Sequence, residues 1–330
     1  MAETVNISEI ASAVAKDIFR PFRWFMHPKR DDNFACVNEA HISRGGKPKL
    51  THPGDVVFSY DDPYLGKRVY FHTDLKSYAS DSISLTALRA AFKSLAMTVE
   101  CARESDEWRL KYGVDSSEAH EVRGLLFVHN HDGMQRRAFT DLVEKMDPQT
   151  LQVGPGVILA FLGPRDIERL WTIANDIKRL IADEELDKDF TFFYPDLVLR
   201  HRQGEMWDQP ATLEYLTGPF LFIRTRKVAH ADAGYIIYYN RRGSCHEEFE
   251  YFLDCLSRYQ LLDSEEQIRI RVVHPEADPE IKSIFAAAVQ RYARAWGFDP
   301  AREKILQDIH VDRVTYVANN YQAGDIGWRA

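Results

Sequence analysis

Segments with the two-residue period of β-strands alternate along this chain with segments that have the helical period, and this alternation restricts it to the α/β classes of fold. Up to about residue 185, the sequence pattern predicts a helix followed by a hairpin. After the hairpin it predicts helix, strand, helix, strand and helix in that order. The hairpin strands are predicted at residues 55–60 and 67–78. A hairpin followed by helix-connected strands predicts a mixed sheet flanked by helices. The aromatic and basic stretch 20–32 before the hairpin is predicted to be irregular.

A polar segment rich in turn-forming residues, 200–219, follows this first set of elements. Beyond it the pattern predicts strand, helix, strand, helix and strand, the last at residues 313–319. We therefore expect two domains, at residues 1–205 and 206–330, the second being a smaller α/β domain. This second domain is expected to select the substrate, to bind a protein partner or to form a homo-oligomer.

Composition excludes several classes of protein. The 330 residues carry a formal net charge of −8, which excludes a protein that coats nucleic acid through its overall field. Neither a disulfide framework nor a zinc ribbon is indicated, because no CxxC pair occurs among Cys36, Cys101, Cys245 and Cys255. The amino terminus lacks a signal-peptide pattern, and no stretch approaches the roughly 20 apolar residues of a membrane span. We expect a cytoplasmic protein with reduced thiols and no membrane partner.

Opposite charges occur in the second hairpin strand, which otherwise has the character of buried sheet. Asp74 and Lys76 are two residues apart, so they share one face of an extended strand. Asp55 stands at the start of the first hairpin strand, directly after Pro53 and Gly54. The hairpin is therefore able to place Asp55 beside Asp74 at one margin of the sheet.

Two converging carboxylates repel each other, and a hard divalent cation is the usual group that stabilises both in the ionised form. The main-chain carbonyl of Leu75 is expected within reach as a third oxygen ligand. The ammonium of Lys76 beside such a metal would hold and polarise a water or neutralise charge on a phosphate. Together these groups predict phosphodiester hydrolysis.

The pattern acid-x-Lys is weak by itself, because it occurs three times in the chain. The copies at 176–178 and 280–282 lie in predicted helices, where residues two apart point about 200° apart and cannot converge. The copy at 74–76 is the one on a predicted strand. The competing interpretation is that Asp74 and Lys76 form a structural ion pair in a protein without catalytic metal.

The sequences PGD at 53–55 and DLK at 74–76 resemble the signature of the PD-(D/E)xK nuclease superfamily, which includes restriction enzymes, resolvases and phage-defence nucleases. The order of helix, hairpin, helix and strand also resembles the core of that superfamily. The resemblance covers roughly residues 30–165 and implies a restriction-endonuclease-like mixed sheet. The sequence departs from the signature at Gly54, which separates the proline from the acid.

The resemblance implies a role for each matching residue. Asp55 and Asp74 would bind Mg²⁺, for which Mn²⁺ would be a substitute, and Lys76 would help to activate the attacking water. Many members add an acid from the first helix or from the segment before the hairpin, and Glu39 is the best match for it. The superfamily acts on DNA and on RNA and includes inactive relatives, so membership does not choose a substrate.

Basic residues outnumber acids between residues 20 and 49, where aromatic side chains lie among them. Such a segment would clamp a phosphate backbone, although a solvated loop explains it equally well. Its candidate nucleic-acid contacts are Arg44, Lys47 and Lys49. The predicted function is a Mg²⁺-dependent DNA endonuclease in antiviral defence or repair. The alternative is a non-catalytic nucleic-acid-binding or assembly subunit that retains the nuclease fold.

Overall fold

The structure of the protein is a computed structural model. It describes residues 9, 11–43, 45–79, 82–115, 117–131, 138–151, 153–195, 197, 207–263, 266–295, 297 and 300–314. The chain divides into two compact units between Trp171 and Thr172. No helix in the described part of the chain has both the length and the apolar character that crossing a membrane requires.

The first unit contains a five-stranded mixed sheet with the strand order β1-β4-β5-β6-β7. The three strands β1, β4 and β5 are antiparallel neighbours, and β6 and β7 continue the sheet in parallel with β5. A separate two-stranded sheet pairs β2 with β3. The bounds are Phe25–Arg30 (β1), Phe34–Ala35 (β2), Thr51–His52 (β3), Val56–Asp62 (β4), Lys67–Tyr78 (β5), His120–Asn130 (β6) and Leu159–Leu162 (β7).

The helices of the first unit follow the predicted order, with one additional helix, α3, that the sequence did not predict. A first helix, α1, covers residues 11–22 and changes to a π-helical turn at Ala15–Phe19 and a 3₁₀ turn at Arg20–Phe22. The helices α2 and α4 pack together, and a 3₁₀ turn at Pro148–Leu151 also contacts α2. The remaining bounds are Leu85–Glu104 (α2), Asp106–Tyr112 (α3), Ala138–Glu144 (α4) and Pro164–Ala182 (α5).

The long helix α2 covers one face of this sheet. Its apolar side chains Leu88, Phe92, Leu95 and Val99 recur at the helical period and all lie in the core. Gly124 of β6 permits the close approach, since a Cβ atom there would lie 2.9 Å from Val99 Cγ2 and 3.0 Å from Leu95 Cγ. The mixed sheet flanked by helices is therefore confirmed.

The second unit has its own five-stranded mixed sheet, with the order β12-β11-β10-β9-β8. Its described strands are Thr191–Phe192 (β8), Phe220–Thr225 (β9), Gly234–Tyr239 (β10), Gln267–Val272 (β11) and His310–Arg313 (β12). Its helices are Leu213–Thr217 (α6), His246–Arg258 (α7), Ile281–Ala295 (α8) and Pro300–Gln307 (α9). A second α/β unit with its own sheet is therefore present, as the sequence predicts. The last strand was expected at 313–319, of which residues 315–319 lie outside the described part.

The division at Trp171 and Thr172 precedes the expected boundary between residues 205 and 206. It falls inside α5, whose later turns belong to the second unit. There Asp176 accepts a hydrogen bond from the Tyr238 hydroxyl at 2.9 Å and also pairs with Arg271. This buried pairing joins the end of α5 to the second sheet. The expected boundary between residues 205 and 206 lies within residues 198–206, which are outside the described part of the chain.

Candidate active site

The register of the hairpin brings Asp55 and Asp74 to the same end of two neighbouring strands. Val56 of β4 lies opposite Thr73 of β5, and the two acids are the next residues along each strand. The turn 63–66 is short and fixes this register. Asp55 Oδ2 accepts a hydrogen bond from the main-chain N–H of Leu75 at 2.9 Å.

Lys76 completes the cluster from the same face of β5. Its Nζ donates to Asp74 Oδ1 at 2.5 Å. The side chain of Asp74 is 14% exposed and that of Lys76 is 36% exposed, and Asp55 is 9% exposed. The structure therefore brings these three residues together at a margin that solvent reaches.

Burial and charge together make the cluster electrostatically unusual. Burial raises the pKa of Asp55, and the nearby charge of Asp74 raises it further to about 7, against the lowering effects of the Leu75 N–H and of Lys76. Burial lowers the pKa of Lys76, but the attraction of Asp74 and Asp55 outweighs it and the net change is upward. Lys76 is therefore an ammonium at neutral pH. It is the cation that faces both acids.

The donor set fits a divalent cation. Two carboxylates beside one ammonium leave an excess of negative charge when both acids are ionised, and carboxylate oxygens are the ligands that Mg²⁺ takes in proteins. The raised pKa of Asp55 indicates that the Leu75 N–H and Lys76 do not fully offset the effects of burial and of Asp74 on its charge. A bound cation would supply that missing stabilisation.

The glycine that interrupts the proline-acid pair is required by a close approach of the backbone. A Cβ atom at Gly54 would lie 2.5 Å from the main-chain oxygen of Asp32. Around this point Asp31 N donates to Asp55 O and Asp32 N donates to Gly54 O, both at 3.0 Å. The segment after β1 thus holds the turn that presents Asp55, and a larger residue at Gly54 would separate the two.

Two residues that the sequence did not single out support the same turn. His72 lies in β5, and its Nε2 donates to the carbonyl of Pro53 at 2.9 Å while its Nδ1 accepts from the Trp108 indole N–H at 3.2 Å. Burial lowers the pKa of His72 to about 4, so the ring is neutral and retains this pair of roles. His72 and Trp108 are positioning residues, and sequence alone gave no signal of their pairing.

The other predicted site residues occupy different surroundings. Glu39 is exposed in a turn at residues 39–40, and within the described residues no contact joins it to Asp55, Asp74 or Lys76. Lys47 is exposed. Lys49 is half-buried, its Nζ lies 3.5 Å from Ser94 Oγ, and the charge of Asp74 acts on it. Arg44 lies outside the described residues.

The mixed sheet, with two acids and a lysine at the open end of its hairpin, has the features of the PD-(D/E)xK nuclease class. Residues 1–160 match the family model described as GAPS4 protein PD-(D/E)XK nuclease domain. Residues 1–160 therefore form a PD-(D/E)XK nuclease domain. Neither a curated protein nor a solved structure matched the chain.

Proposed function

We propose that this protein is a Mg²⁺-dependent nuclease that hydrolyses phosphodiester bonds of DNA as an endonuclease. The observation that supports the proposal is the convergence of Asp55, Asp74 and Lys76 at a solvent-reached margin of a PD-(D/E)XK nuclease domain. A structural ion pair alone would explain Asp74 and Lys76. It would leave unexplained why a second, poorly stabilised carboxylate is held beside them.

The roles of the residues follow from their surroundings. Asp55 and Asp74 would hold the metal, with the carbonyl of Leu75 as a third ligand, while the N–H of Leu75 fixes the direction of the Asp55 carboxylate. A bound Mg²⁺ supplies positive charge to phosphate oxygens and to a coordinated water. Lys76, which stays protonated, would donate hydrogen bonds to the attacking water or to a phosphate oxygen. Asp74 orients that ammonium.

The nucleic acid would approach from the segment before the hairpin. Among the described candidates, Lys49 is the one with an electrostatic interaction with Asp74, which is weaker than its interactions with Cys36 and Cys101. Lys47 and Arg44 would add contacts to the phosphate backbone from the same segment. Glu39, in the exposed turn at residues 39–40, is proposed as an additional acid.

The biological setting is part of the proposal. The matching family model is named for GAPS4 proteins, a family of phage-defence systems, so we place the activity in antiviral defence in the cytoplasm. The second unit would select the substrate, bind a protein partner or form a homo-oligomer.

A cleavage assay tests the proposal. Full-length protein is incubated with supercoiled DNA, linear DNA and single-stranded RNA, each with Mg²⁺, with Mn²⁺ and with no added divalent metal. We expect nicking and linearisation of supercoiled DNA with Mg²⁺ or Mn²⁺, and no cleavage without them. Metal-independent binding without cleavage would instead support the non-catalytic subunit, and cleavage of RNA alone would contradict the DNA assignment.

A further inference from the structure

Four side chains that commonly bind metals converge in the first unit, apart from the candidate active site. Cys36, His41, His52 and Cys101 each offer a sulfur or nitrogen atom, and these atoms all lie within 4.8 Å of one another. They come from the segment after β2, from the end of β3 and from α2. His41, His52 and Cys101 are buried, and Cys36 is half-buried.

The three distances among Cys36, Cys101 and His41 match a tetrahedral zinc site, and His52 lies within 4.8 Å of all three. The two sulfur atoms of Cys36 and Cys101 are 3.7 Å apart, and His41 Nδ1 lies 3.5 Å from the first and 3.4 Å from the second. Zinc bonds of about 2.3 Å to sulfur and about 2.0–2.1 Å to nitrogen, set at tetrahedral angles, require about 3.8 Å between sulfurs and about 3.6 Å between sulfur and nitrogen. The observed distances agree within about 0.2 Å.

His52 supplies an independent observation. Its ring is fully buried, and its Nδ1 lies 3.1 Å from Thr98 Oγ1. Its Nε2 has no hydrogen-bond partner within the described residues. A buried polar atom without a partner is uncommon in a folded protein and calls for a ligand. Since Nδ1 is engaged by Thr98, Nε2 is the atom that His52 offers to the cluster.

The outer contacts orient both histidines. Thr98 Oγ1 donates to the Ser94 carbonyl at 2.9 Å, so it accepts from the Nδ1–H of His52 and leaves a lone pair on Nε2. His41 Nε2 lies 3.5 Å from a Glu100 carboxylate oxygen and 3.4 Å from Asn38 Nδ2, and its Nδ1 faces both sulfur atoms. Contacts of this kind orient histidine ligands in metal sites.

We propose that Cys36, His41, His52 and Cys101 bind one structural Zn²⁺ ion. Four protein ligands complete a tetrahedral shell, so no position is open for substrate and the role is structural. A disulfide between the two cysteines would use half of the cluster and leave His52 Nε2 without a partner. The ion ties the segment 36–52 to α2 and fixes the chain three residues before Asp55.

The spacing explains why the sequence did not predict this site. The ligands follow the pattern Cys-x4-His-x10-His-x48-Cys, and the last ligand lies on a helix that follows the hairpin. The absence of a CxxC pair excludes a zinc ribbon and does not exclude a site assembled by the fold. The helix brings Cys101, Thr98 and Glu100 to the cluster together.

Metal analysis of the full-length protein, purified without chelators, tests the proposal. We expect about one zinc per chain in the wild type and at least about a tenfold lower content in Cys101→Ser and His52→Ala. Cys255→Ser, in the second unit, and Asp74→Asn, at the proposed nuclease centre, are matched controls that retain the zinc. The zinc content is read without any cleavage assay, so it is independent of the proposed function.

Two further measurements apply even if the ligand variants fold poorly. Co²⁺ added to zinc-free wild-type protein should give the absorption of tetrahedral cobalt with thiolate ligands. Thr98→Val keeps all four ligands and should weaken zinc binding about 10- to 100-fold in competition with a chelator. Wild-type protein that contains no zinc and gives no such cobalt spectrum would overturn the proposal. A Cys36–Cys101 disulfide found in place of metal, or full zinc content in His52→Ala, would overturn it as well.

Discussion

Asp74→Asn and Lys76→Ala are each expected to lower the rate of Mg²⁺-dependent DNA cleavage by about 10³-fold or more, with little change in the fold. The asparagine keeps the size of Asp74 and removes the charge that would hold the metal and that pairs with Lys76. The alanine removes the ammonium that would face the reacting phosphate. Because Lys76 is 36% exposed, its loss creates no large cavity.

The measurement is the initial rate of supercoiled plasmid nicking, with the unfolding temperature of each variant recorded beside it. Lys227→Ala is the matched control, because Lys227 forms an ion pair with Asp232 at 2.7 Å on the surface of the second unit. It should cleave at the wild-type rate. Cleavage that persists unchanged in both Asp74→Asn and Lys76→Ala would reject this assignment of the site.

Asp55→Asn is expected to raise the free energy of unfolding by about 2 kcal/mol at pH 8 when no Mg²⁺ is present, while it removes activity. The pKa of Asp55 is raised from 3.8 to about 7, first by burial and then by the charge of Asp74. A pKa rise of this size corresponds to a loss of about 4 kcal/mol in the free energy of unfolding, and we expect structural relaxation to halve this loss. Asparagine retains an oxygen that accepts the hydrogen bond from Leu75 N–H.

The raised pKa of Asp55 makes the free energy of unfolding of the wild type depend on pH. Between about pH 4 and 7 the folded wild type holds a proton on Asp55 that the unfolded chain has released, so wild-type stability falls as the pH rises through that window. Asp55→Asn lacks this fall, and the two proteins should be nearly equal near pH 4. Urea denaturation at several pH values measures the difference. Equal stability at pH 8 without metal would contradict the account, and added Mg²⁺ should stabilise the wild type alone.

The hairpin and its acids were predictable because their information is local. The period of β5 gives the shared face of Asp74 and Lys76, and a short turn fixes the register that brings Asp55 beside them. The start of α2 is also set by local contacts. Ser82 donates its hydroxyl to the carbonyl of Ala79, and Ser84 is the residue that caps the helix by accepting from Ala87 N.

The contacts that support the site were not predictable, because each joins distant parts of the chain. The strand β1 was expected to be irregular, and that prediction was wrong. It forms the edge of the first sheet and contains Pro28, which an edge position tolerates. The segment after β1 then holds Gly54. The pairing of His72 with Trp108 and the four-residue cluster around His52 likewise arise from packing between elements rather than from any short motif.

The position of a bound Mn²⁺ ion, located by its anomalous scattering in crystals of the full-length protein, tests the central claim most directly. We expect one peak between the carboxylates of Asp55 and Asp74, with an oxygen of each at about 2.1 Å, and no peak there in Asp74→Asn. At saturating Mn²⁺, wild-type crystals with no ion between these two carboxylates, and Asp74 still paired with Lys76, would contradict it.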